Sequence, residues 1–124
     1  MRTRLGAGVI IAMLLATFNV VHAQPTNAPH YTHSELRKMM QEAHTDQQYK
    51  ELASYFRSRQ EAYEQQAQAE KLEWERRSQD VTSMAAKYPR PADSSRSRYE
   101  YFAYEAGKMR DQAARYEGLL AKAQ

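Results

Sequence analysis

Cysteine is missing from all 124 residues, and glycine and proline occur only four times each. Without cysteine there are no disulfides, no thiolate nucleophile, no cysteine-based zinc site and no covalent haem attachment. A small exported chain commonly leans on disulfides. This one must be held together by helix packing. No Gly-rich turn is present to build an oxyanion hole. Histidine stops at His44, which excludes a His ligand on any later helix, and no Glu-x-x-His pair occurs for a di-iron bundle. Paired carboxylates such as Glu61/Glu64 and Glu73/Glu75 fall on a polar helix face, where they read as surface charge. The chain is expected to be non-enzymatic, with no cofactor.

Net charge is also scarce. The formal value is +3, and Arg2 and Arg4 supply two of those charges. They precede an apolar run, Val9 to Val21, that ends in Val21-His22-Ala23. This is the layout of a cleavable signal peptide over residues 1–23, cut between Ala23 and Gln24. The run falls short of the roughly 20 apolar residues of a membrane span, so an uncleaved anchor is the less favoured reading. No transmembrane segment is expected after cleavage. The remaining 24–124 carries 16 basic and 15 acidic residues, too even a balance for a nucleic-acid binder. Export to the periplasm or the medium follows from the signal.

What the chain does have is a long stretch, Asp46 to Tyr88, free of proline and glycine. An apolar seam runs through it at alternating steps of four and three: Tyr49, Ala53, Phe56, Gln60, Tyr63, Ala67, Glu70, Trp74, Arg77, Val81, Met84, Tyr88. That period predicts one helix over about 46–88, about 64 Å long, packed on another helix. A second seam, Tyr99, Phe102, Ala106, Met109, Ala113, Tyr116, Leu120, Ala123, predicts a helix over about 95–123. Gly107 and Gly118 within it read as tolerated surface glycines, each costing about 1 kcal/mol against alanine. Between the two lies Lys87-Tyr88-Pro89-Arg90-Pro91, with Asp93, Ser94 or Ser95 as the next cap.

Two capping boxes precede the long helix: Thr32-x-x-Glu35 and Thr45-x-x-Gln48. The first, with Ser34 as a competing cap, opens a short helix over about 34–43 carrying Leu36, Met39, Met40 and Ala43. A single helix frayed at His44-Thr45 is the alternative. Residues 24–33 read as a disordered leader, and 34–124 as one domain.

The fold class is therefore all-α: an antiparallel helical hairpin with a coiled-coil-like seam and a short N-terminal helix packed on the long one. Folding at Pro89–Pro91 sets Met84 near Tyr99, Val81 near Phe102, Trp74 near Met109 and Ala67 near Tyr116. The first helix then covers Tyr49, Ala53 and Phe56. Glu70 and Arg77 interrupt the seam and are expected to reach its edge and pair with Arg110 or Glu105.

Two groups of residues point to function. Six basic residues against two acidic ones lie between Arg76 and Arg98. Tyr88, Arg90, Arg96, Arg98, Tyr99 and Tyr101 thus form a basic, Tyr-rich tip suited to a protein partner or an anionic envelope surface. The expected function is an interaction, adaptor or chaperone-like module of the cell envelope. His30, His33, Met40 and His44, with Met40 and His44 on one helix face, offer the alternative of a copper or zinc site. A self-associating coiled coil, such as a homodimer closing a four-helix bundle, is the third reading. The pattern resembles small exported helical proteins, but the Leu-Thr-x-x-Gln signature of periplasmic hairpin chaperones is absent.

Overall fold

The computed structural model describes residues 29–123. The expected signal segment 1–23, the expected Ala23/Gln24 junction and the expected leader residues 24–28 lie outside them. Every regular element among the described residues is helical: α1 His33–Glu42, α2 Asp46–Gln79, α3 Val81–Ala85 and α4 Pro91–Lys122. None of these helices is long and apolar enough to cross a membrane.

Both capping boxes form. The Thr32 N–H donates to Glu35 Oε2 at 2.7 Å while Thr32 Oγ1 accepts from the Glu35 N–H. Thr32, not Ser34, is the cap. The Thr45 N–H donates to Gln48 Oε1 and Thr45 Oγ1 accepts from the Gln48 N–H, each at 3.2 Å. His44 donates its own N–H to the same Gln48 oxygen. With Ala43 extended between them, α1 and α2 are separate helices. Tyr31 lies against Tyr55, 5.3 Å between ring centroids, while the other end of α1 joins Thr45. The short helix therefore folds back along α2.

The long helix is not continuous to Tyr88. It stops at Gln79, and Asp80 is extended (φ −86°, ψ 113°). The Asp80 carboxylate accepts the Thr82 N–H at 2.9 Å, and the Asp80 carbonyl accepts the Met84 N–H. Asp80 is thus an N-cap for α3, a role that suits aspartate better than a helix interior does. The last helix starts earlier than expected, at Pro91. The missing N–H of proline costs nothing at the first helical position. Asp93 falls in the first turn instead of capping it. The connector between α3 and α4 holds a cis Tyr88–Pro89 peptide bond.

The early turn changes the register. Trp74 stacks on Tyr99 (6.1 Å), Tyr63 on Phe102 (6.3 Å) and Phe56 on Tyr116 (5.9 Å). Trp74 and Tyr99 sum to 173 and Tyr63 and Phe102 to 165, against the expected 183. The helices remain antiparallel, but α4 has slid toward the base by about three to five turns. The expected Trp74–Met109 contact gives way to Trp74–Tyr99, and Met109 packs at the base instead. Tyr49, Ala53 and Phe56 are covered by α4 as well as by α1. The expected partners of Glu70 and Arg77 change too. Glu70 takes Arg98, while Arg77 bonds Glu73 and the Pro91 carbonyl.

The core sits at the base. Leu52, Ala53, Phe56, Ala113 and Tyr116 are buried together, and Leu36, Met39, Met40, Ala43 and Met109 pack on them. Toward the tip the buried residues are small: Ala67, Ala106, Ala92 and Ser95. The large rings there are only half-buried, so the tip end is pinned by ring pairs and ion pairs.

Candidate functional site

At the tip, Val81 and Met84 were expected in the seam and Tyr88 at its end. The structure puts all three in solvent. Val81 is 83% exposed, Tyr88 is 80% exposed, and Met84 is the least exposed of the three. The cause is the break at Asp80. Beyond it the five-residue α3 no longer continues the α2 seam, which leaves Val81 mostly and Met84 partly uncovered. The result is an apolar and aromatic knob at one end of a rod about 50 Å long.

The tip arginines are not free cations. Arg90 grips Asp93 through Nε at 2.7 Å and Nη2 at 3.1 Å. This contact holds Asp93 below the usual aspartate range and Arg90 above its ordinary value. The same guanidinium lies 5.1 Å from the Tyr88 ring centroid. Arg96 pairs with Glu100 at 2.8 Å and sits over Trp74, whose other neighbour is Tyr99. Arg98 spans the hairpin to Glu70 at 2.8 Å and reaches Ser95 Oγ. Arg76 and Arg77 share Glu73, pushed down to about 2, chiefly by the Arg76 hydrogen bond with Arg77 adding to it. Folding therefore pairs each of these arginines with a carboxylate, Arg76 and Arg77 sharing one. Of the six tip residues singled out from the sequence, Arg96, Arg98 and Tyr99 brace the hairpin, and Arg90 clasps the start of α4. Tyr88 and Tyr101 remain exposed. Sequence reasoning missed Val81 and Met84 as surface residues. Tyr104, which the sequence already places close to the basic tip, stands exposed on α4 near Tyr101 and under Lys108.

The four residues suggested as metal ligands do not converge. Helix α1 ends at Glu42, so Met40 and His44 share no helix face, and His44 Nδ1 lies 2.8 Å from the Glu42 carbonyl. His33 and Met40 line a cleft between α1 and α4 that also contains Arg37 and Arg115, whose charge opposes a cation. His30 precedes α1 and is exposed. Among the described residues no three His, Cys, Asp or Glu side chains gather as a metal set. On the other side of α1, Tyr31 and Met39 line a second cleft with Glu35, Glu42 and Glu51.

Comparison of the chain with protein-family models, curated proteins and solved structures gives no match.

Proposed function

We propose that this chain is a small exported, non-enzymatic helical module of the cell envelope that binds a protein partner through the hairpin tip, as an adaptor or chaperone-like protein. The observation that carries the reading is the exposure of Val81, Met84 and Tyr88 on α3 and the connector that follows it. Apolar and aromatic groups clustered in solvent mark interaction sites. The paired arginines turn the reading from an acidic or anionic surface toward a partner with an apolar recess, rimmed by the charged pairs. We read the α2–α4 contact as coiled-coil-like, a rigid stalk that holds the knob away from the base.

A crosslinking capture from cell-envelope extract tests this with the protein as its host processes it. The informative variant is Val81→Ser/Met84→Ser/Tyr88→Ser, because it spares the buried side chains and the ion pairs of the fold. Charge reversal at Arg90, Arg96 and Arg98 would break the ion pairs of the fold. A partner captured by the wild type and lost by the triple variant supports the reading. The same partner captured by both variants removes the tip assignment, and no partner at all removes the adaptor reading.

Self-association has its own support in Tyr101 and Tyr104, exposed one turn apart on α4. Light scattering at high concentration, with Tyr101→Ser/Tyr104→Ser alongside, tests it. A monomer in both samples sinks that reading.

A further inference from the structure

The cleft between α1 and α4 combines an apolar floor with arginines that meet no carboxylate among the described residues. Leu36, Met40 and Tyr116 line it, and so do His33, Arg37 and Arg115. Tyr116 is buried beneath and belongs to the core. Every other described arginine pairs with a carboxylate, except Arg59, which donates to the Tyr63 hydroxyl. Arg37 and Arg115 find no carboxylate among the described residues. Arg37 approaches only His33 Nε2, at 3.5 Å, and Arg115 lies 5.9 Å from the Tyr116 ring centroid. In a chain whose arginines are otherwise so consistently matched, two unmatched guanidinium groups on one cleft are a distinct feature.

We infer that this cleft binds a small single-chain amphiphilic carboxylate, its anionic head held by Arg37 and Arg115 and its tail laid on Leu36, Met40 and Tyr116. The planar guanidinium matches a carboxylate with two parallel hydrogen bonds. The volume, about 300 Å³, lies at the small end of ligand pockets. A cleft of that size suits a short single-chain carboxylate such as octanoate, and a two-chain phospholipid is the competing occupant that the test addresses. This site is at the base, away from the tip, and stands independently of the tip reading.

Titration with octanoate, followed by backbone amide NMR on the protein as its host processes it, tests the inference. Saturable shifts at Leu36, Met40 and Tyr116 are expected, with a Kd below about 1 mM. Arg37→Gln and Arg115→Gln each weaken binding by about tenfold or more, the loss that goes with one charge-assisted contact. Both side chains lie on the surface, so both variants keep the wild-type amide spectrum elsewhere. Acetate tests the head alone and octanol the tail alone, and each binds at least about tenfold more weakly than octanoate. Octanoate that fails to saturate, or binds equally well to Arg115→Gln, overturns the inference. Octanol that matches octanoate removes the role of the arginines. Octyl phosphate that binds more tightly than octanoate moves the head-group assignment from carboxylate to phosphate. Binding to anionic phospholipid vesicles that is lost in Arg115→Gln overturns the single-chain occupant.

Discussion

Replacing Leu52 by alanine is the most direct test of where stability resides. Leu52 is fully buried (0% exposed) in the cluster where α1, α2 and α4 meet, with Phe56 and Tyr116 beside it. Removing the side chain loses its transfer free energy and leaves a cavity. Rigid aromatic rings close such a cavity poorly, so the cost falls within the measured span for buried leucines, about 3–5 kcal/mol. Total stability for a domain of this size is about 5–14 kcal/mol at 0.05–0.15 kcal/mol per residue. One substitution therefore removes from about a fifth to all of it. At about 4–8 °C per kcal/mol, the melting temperature drops by about 12 °C or more. Circular dichroism at the helical minimum, with urea unfolding at matched concentration, measures it. The control is Leu72→Ala in the same helix, 56% exposed, which shifts the transition by no more than about 0.5 kcal/mol. If the two leucines cost the same, the base is not the core and the assignment of the hairpin's anchor is refuted.

Three further predictions concern local features. Thr45→Ala removes the oxygen that accepts the Gln48 N–H and costs about 1 kcal/mol, a drop of about 4–8 °C by calorimetry; an unchanged transition would deny the capping box a role. Gly107→Ala and Gly118→Ala each raise stability by about 0.5–1 kcal/mol, because an added Cβ meets nothing within 4 Å and neither glycine has positive φ; a loss of stability would reveal a close neighbour, such as a second copy. Glu73, Asp93 and Glu117 are all held below their ordinary values by arginine hydrogen bonds. Their folded-state protons bind more weakly than unfolded-state ones, so their stabilisation is complete above about pH 4.5 and is lost as pH falls toward about 2. Thermal melts are therefore flat from neutral pH to about 5 and decline below it, and Glu73→Gln flattens the decline; a transition that rises on acidification would reverse the sign.

How much of this was legible in the sequence depends on the range of the interaction. The capping boxes were legible because Thr32/Glu35 and Thr45/Gln48 act across three residues. The helical class was legible from two seams with few breakers. The slide was not, because a heptad seam names a face but leaves the offset between two faces free. The break at Asp80 left a faint trace, a capping residue followed by β-branched Val81 and Thr82, and the continuing seam outweighed it. Leu52 was missed for a different reason. A two-helix contact needs a narrow stripe, whereas the base packs α2 against both α1 and α4 and widens the stripe to include it. Tip charge was misread because the count stopped at Arg76 and Arg98, leaving out Glu73 and Glu100 one turn beyond, and because it cannot see Glu70 reach across the hairpin to Arg98. Arg115 was missed because Asp111, four residues before it, suggests an ion pair, whereas Asp111 pairs with Arg110 in the structure; nothing in the local sequence of Arg37 marks it as unmatched.

The same division of labour explains why one chain can separate folding from binding. At the base, three helices bury one compact cluster, and nearly every large apolar side chain there has a partner. At the tip, the helices are held by small buried residues and by pairs such as Trp74–Tyr99 and Glu70–Arg98. Val81, Met84 and Tyr88 add little to that support, Tyr88 only its contact with Arg90, so selection for stability gives little reason to keep them apolar. Exposed apolar groups without a packing role carry a solubility cost, and a solvated turn could be polar throughout. That the turn instead carries valine, methionine and tyrosine is what the binding reading explains. The tip variant should accordingly melt where the wild type does; a destabilised tip variant would mean that these side chains serve the fold, and the case for a docking knob would fall with it.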